Sequence, residues 1–181
     1  MAKVTSLPIV GVIGSGSDEH QDRAAALGGW LATQGVHLLT GAGPGVMTAV
    51  SRAFAQTSGR KGLVLGIVPC IDEGQPEVPR PGYPNLWVEV AIRTHLHLSS
   101  SQGTELSSRN HIIVLTANVL VALPGGAGTA SEVRLALRYR KPVIAFLKAR
   151  DEIVGLPDEV NSEPDFHQVQ AFIRERIARL R

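Results

Sequence analysis

The residues best equipped for chemistry are Pro124, Gly125, Gly126, Ala127, Gly128, Thr129, Ala130, Ser131 and Glu132, which stand between an aliphatic run and a helical one. Glycines let the backbone pass close to a ligand and aim amide N–H groups at it. A helix start adds roughly half a positive charge, so Gly125, Gly126, Gly128 and Thr129 offer a place for a phosphate. The same glycines also suit a tight strand-to-helix turn that holds nothing. Glu132 is open to two readings. Thr129 to Glu132 spell a capping box, in which the carboxylate reaches back to the cap amide. A carboxylate one turn into a phosphate-binding helix is equally placed to meet the attached sugar or base, as a general base or a hydroxyl acceptor.

Two more glycine-rich turns follow apolar runs: Gly14, Ser15 and Gly16, and then Gly41, Gly43 and Gly45 with Val46 and Met47. Neither has the full dinucleotide fingerprint, and neither is followed at about 20 residues by an acid at a strand end, which argues against nicotinamide redox chemistry. Arg109 lies before the strand that leads to Gly125. It can clamp a phosphate or carboxylate bidentately, or be a solvated helix residue. His95 and His97 are two apart and share a face if extended, but a metal site wants a third ligand and none is marked.

These residues need elements to hold them. Residues 9–13, 36–40, 63–68, 86–92, 118–123 and 142–147 read as strands, the last closing the sheet. Residues 20–34, a stretch from Val46 through Phe54, 104–116, 127–139 and 166–180 read as helices. Residues 69–84 are rich in proline, glycine and acids and read as a long surface loop, with 150–164 as a second polar loop. Strand and helix alternate throughout. The expectation is one α/β domain over residues 1–181, a doubly wound, Rossmann-like parallel sheet with helices on both faces and ligand-holding turns beyond the carboxyl ends of its strands.

Composition bounds the rest. In 181 residues the hydrophobic share is 44% and the charged share 19%, as in an ordinary globular chain, and a chain this long buries roughly 70% of its unfolded surface. Aromatics are 4% and the net charge is +2, so neither stacking platforms nor a basic stripe points to nucleic acid. The single cysteine, Cys70, excludes an internal disulfide and is expected to be buried or half-buried. The N-terminal residues carry no apolar signal core and no run reaches about 18 apolar residues, so the expectation is a soluble, cytoplasmic protein without a membrane partner.

In Pro124 to Glu132 and Arg109 the chain resembles the superfamily whose signature is Pro-Gly-Gly-x-Gly-Thr-x-x-Glu with an arginine on the preceding helix. It includes the "Lonely Guy" cytokinin riboside monophosphate phosphoribohydrolases, often mislabelled lysine decarboxylases, and the molybdenum cofactor carriers. Gly14 to Gly16, Thr40 to Met47, Ile92 to Leu96 and Ser108 to His111 look more like the carriers. The hydrolases usually have Arg-Lys where this chain has Arg109-Asn110, and Glu-Glu where it has Ser131-Glu132. The carrier resemblance implies that the glycine turns hold the terminal phosphate of molybdopterin, with Gly41 to Met47 and Arg93 or His95 lining the pterin and metal side, and the molybdenum cofactor as bound ligand. The hydrolase resemblance implies that Arg109 and Glu132 flank an N-glycosidic bond of a nucleoside 5′-monophosphate, with no cofactor required. A non-catalytic nucleotide sensor would keep the same glycines. Lysine decarboxylation would need a pyridoxal-phosphate lysine, and none of Lys3, Lys61, Lys141 or Lys148 has that setting. The resemblance further implies a homo-oligomer, a dimer or tetramer, and the apolar positions Val114, Leu115 and Leu135 suit an interface as well as a core.

Overall fold

The structure, a computed structural model, describes residues 6–180. Residues 1–5, part of the segment read as free of a signal core, lie outside the described residues. Seven strands form one parallel sheet: β1 (Ile9–Ile13), β2 (His37–Thr40), β3 (Val64–Val68), β4 (Val90–Arg93), β5 (Val119–Ala122), β6 (Val143–Phe146) and β7 (Ser162–Glu163). Their order in space is β4-β3-β2-β1-β5-β6-β7, so the direction of winding reverses at β1. The central strands are aliphatic because a parallel sheet covered on both faces offers them no water. Val10, Val12, Leu38, Val119 and Val121 face one core, and Ile13, Leu39, Leu120 and Ala122 the other.

Five helices cover those faces. α1 (Gln21–Ala32), α2 (Val46–Gln56) and α5 (Phe166–Ala178) pack on the first core; α3 (Asn110–Thr116) and α4 (Ala127–Arg138) pack on the second. This is the doubly wound α/β domain expected from the alternation of elements. No helix among the described residues is long and apolar enough to cross a membrane.

Four details depart from the sequence reading. β6 does not close the sheet: β7, inside the supposed polar loop, adds a seventh strand through Ala145–Ser162 and Phe146–Glu163 pairing. The fourth strand begins at Val90 rather than at residue 86. The Asn85 side chain accepts from the Trp87 N–H and its backbone carbonyl from the Val88 N–H, which folds residues 85–88 into a turn and leaves Leu86 exposed. α3 begins at Asn110 rather than at residue 104, because the Ser108 hydroxyl takes the Asn110 N–H and starts the helix there. Finally, Val114 and Leu135 are fully buried in the second core, leaving only Leu115, 49% exposed, of the three suggested interface positions.

Candidate functional site

A cleft of about 400 Å³ opens beyond the carboxyl ends of β1, β2 and β5, beside the point where the winding reverses. Open parallel sheets bind ligands at such points. The turn after β1 supplies Gly14, Ser15, Gly16 and Ser17, the turn after β2 supplies Gly41, and α2 supplies Met47. Opposite them stand Gly126, Ala127, Gly128, Thr129 and Glu132 of the α4 entry.

α4 starts at Ala127 with Gly126 as its cap residue, and no side chain caps it. Thr129 is therefore already inside the helix and cannot be the cap of a capping box. The capping reading of Glu132 fails for this reason: its carboxylate accepts no hydrogen bond among the described residues and lines the cleft instead. The first N–H groups of α4, those of Ala127, Gly128 and Thr129, have no acceptor one turn back and form the positive end of the helix. A Cβ built on Gly126 meets nothing within 4 Å, and the same is true of Gly16. Both glycines leave space rather than make room for a protein neighbour.

Gly41 and Arg109 are coupled. A Cβ on Gly41 would collide with Nη1 of Arg109, so glycine there is the condition for the guanidinium to reach under the β2 turn. Arg109 is 5% exposed; Nη1 donates to the Ile67 carbonyl at 3.0 Å, the guanidinium stacks 5.4 Å from the centre of the Tyr83 ring, and Nε has no partner. Burial pulls the Arg109 group down from its ordinary value, while Tyr83 and Glu132 push it back up. An arginine so placed keeps its charge near neutrality.

Glu132 as a residue is half-buried, but its carboxyl is enclosed by the cleft wall, and that enclosure sets its ionisation. Burial raises its pKa to about 7 against the opposing pull of Arg109. The two groups attract across the cleft without a direct ion pair. A carboxyl that titrates near neutrality beside a fixed cation can move a proton or accept a hydroxyl hydrogen bond.

The structure divides the remaining predicted positions. Gly43, Gly45, Val46 and Gly125 support the cleft without lining it. A Cβ on Gly43 would strike Tyr83, one on Gly45 would strike the Ser15 carbonyl, and one on Gly125 would strike Thr129 Oγ1. Val46 is fully buried and donates its N–H to the Ser15 carbonyl at 3.0 Å, tying the first two turns together. Arg93 and His95 are not in this cleft. They line a separate cavity of about 280 Å³ with Glu77, because β4 is the edge strand of the sheet and the 69–84 loop lies between it and the main site. His95 and His97 both lie past the end of β4, so neither is a residue of the strand itself.

Sequence reasoning missed Arg80, Tyr83, Ser99 and Ser100 as cleft-lining residues. Arg80 and Tyr83 come from the 69–84 loop. The Arg80 guanidinium donates to the His97 carbonyl at 2.6 Å and to Ser99 Oγ at 3.1 Å, which straps the loop to the segment before α3. Ser100 sits in the left-handed region, φ 54°, and its carbonyl accepts from Ser131 Oγ at 2.9 Å, fixing that segment to α4. The available signal was the pairing of a cation with an aromatic ring inside a proline-rich loop.

Known proteins place this arrangement in context. The model of the SLOG cluster4 family matches residues 7–172. An uncharacterized protein of Archaeoglobus fulgidus is 32% identical over 148 residues, 81% of this chain and 84% of its own. A structure of the molybdenum cofactor carrier protein from Chlamydomonas reinhardtii is similar with a TM-score of 0.70 and 30% identity, over 96% of this chain and 99% of that one. The molybdenum cofactor binding protein of Rippkaea orientalis gives a TM-score of 0.61 and 29% identity, over 95% and 86%. The chain belongs to the SLOG cluster4 family.

Proposed function

We propose that this protein binds a phosphorylated small molecule in the cleft between the three glycine turns, and that the ligand is the molybdenum cofactor, held for protection or delivery. One observation carries the reading: a nearly buried Arg109 with an unpartnered Nε shares the cleft with the uncapped start of α4, where Gly126 leaves open space. The α4 amides receive the terminal phosphate, and the Arg80 and Arg109 side holds the pterin and its metal-bearing end. A cleft of about 400 Å³ lies in the ordinary range for a small-molecule site. The likeness to two proteins described as carrying or binding this cofactor, at 29–30% identity, supports the same ligand.

The purified protein is expected to bind molybdenum cofactor saturably, and Gly126→Asp to weaken that binding about tenfold or more by setting a carboxylate against the phosphate. Because a Cβ at Gly126 meets nothing, this variant is expected to fold normally. Unchanged binding by folded Gly126→Asp would place the ligand elsewhere.

One observation favours a second reading. Glu132 titrates near 7 and shares the cleft with Arg109, a pair suited to helping water cleave the N-glycosidic bond of a nucleoside 5′-monophosphate. Release of free base from such substrates, lost in Glu132→Gln, would establish hydrolysis. Saturable cofactor binding without base release would leave the carrier reading alone.

A further inference from the structure

The opposite end of the sheet, away from the glycine turns, carries a second cleft, of about 590 Å³, at the amino ends of β5 and β6. Its walls come from the end of α4 and the last two turns of α5, and Leu137, Val143 and Phe172 give it an apolar lining. Its charge is one-sided: Arg140, Lys141, Arg176 and Arg179 line it against the single carboxylate of Glu159.

Two of these cations serve the fold. Lys141 Nζ donates to the Leu115 and Ala117 carbonyls at 2.6 and 2.8 Å and so closes the end of α3, and Arg179 pairs with Glu175. The other two are not used up. Arg176 lies over the Phe172 ring at 4.8 Å and touches Glu175 through Nη1, while its buried Nε has no partner. The Arg140 side chain makes no hydrogen bond or ion pair among the described residues.

Arg140 is also in a costly place. It follows the last turn of α4 with φ 53°, its N–H donating to the Leu137 carbonyl and the next N–H to the Ala136 carbonyl. Glycine is the residue that suits this left-handed helix-ending position. The backbone thus gains nothing from arginine, and the guanidinium is presented at the mouth of an apolar cleft beside other cations that repel it. An anion would relieve that repulsion, and the apolar lining would cover its carbon skeleton.

We propose that this cleft is a second ligand site, independent of the glycine cleft, for an organic anion with an apolar body, of the class of aromatic carboxylates. Arg140 and Arg176 hold the carboxylate and the surfaces of Leu137 and Phe172 hold the ring. α4 separates the two sites, with its glycine entry at one end and Arg140 beyond the other, roughly 18 Å apart for a helix of this length.

Calorimetric titration with 2-naphthoate, with neutral 2-naphthamide as control, tests the assignment. The expected result is one saturable 2-naphthoate site per chain, weaker binding of the amide, and a loss of about tenfold or more in Arg140→Gly and in Arg176→Ala. Arg140→Gly places the favoured residue at the left-handed position, so it is expected to unfold at the same or a higher temperature, which separates lost binding from lost fold. The Gly126→Asp variant should bind 2-naphthoate as the parent does. The proposal is overturned by absence of saturable binding, by equal affinity for the amide, by parental affinity in folded Arg140→Gly, or by loss of 2-naphthoate binding in folded Gly126→Asp.

Discussion

Gly125 and Gly126 are neighbours in sequence and opposites in physics. A side chain on the first would strike Thr129 Oγ1, whereas one on the second would enter open space. Glu132 has a similar double character, since its carboxyl makes no cap bond at the helix start and is enclosed in the cleft with a pKa near 7. A carboxyl raised above its unfolded value near 4.5 contributes fully to folding only while protonated in both states. That contribution declines as pH rises from about 4.5 and is gone above about 7. In the unliganded protein Glu132→Gln should therefore abolish a loss of stability on the order of 3 kcal/mol across this interval. Denaturant unfolding at a series of pH values reads it; parallel pH profiles for the parent and the variant would show that Glu132 does not sense burial.

Elements differ in how legible they are. The helical period of α5 and the aliphatic runs of β1, β2 and β3 appear directly in the sequence, because one packed face dictates residue type. β7 does not: two residues, Ser162 and Glu163, carry no apolar pattern, and only pairing with β6 makes them a strand. The glycine turns and Arg109 were legible because their chemistry is local. The contribution of residues 69–84 was not, since Arg80 reaches the cleft through tertiary bonds to His97 and Ser99, 17 and 19 residues away. Those bonds give the loop a testable role. Arg80→Ala should leave the melting temperature within about 2 °C, because the side chain lies outside the core. It should also speed amide exchange across residues 97–103 and weaken ligand binding about tenfold by removing a cleft cation. Unaltered exchange with unaltered affinity would show that the strap neither orders the loop nor serves the ligand.

At the scale of the molecule, the cleft depends on two halves of the sheet meeting at β1, with α1 and α2 before the junction and α4 after it. The ion pair of Arg23 with Glu152 crosses that junction. Arg23 on α1 donates through Nη1 and Nη2 to the two Glu152 oxygens at 2.8 and 2.9 Å, while the Glu152 backbone carbonyl accepts the Gly125 N–H at 3.0 Å. The glycine turn is thus held by the residue that α1 holds. The hydrogen bonds from Arg23 lead in keeping the Glu152 carboxyl below its ordinary value, against a smaller effect of burial. A carboxyl lowered in this way stabilises the fold above its unfolded pKa and loses that contribution as pH falls through the lower folded value, the reverse of Glu132. Glu152→Gln should lower stability by about 1 kcal/mol at pH 7, a partly exposed bidentate pair being worth little more. The deficit should shrink toward zero as the solution is acidified below about pH 4, where the parent carboxyl also becomes neutral. Ligand affinity should fall with it, since the Gly125 turn loses its anchor to α1. A deficit that persisted in acid would assign Glu152 a packing role instead of an electrostatic one, and full affinity in the variant would show that the turn holds its shape without the junction.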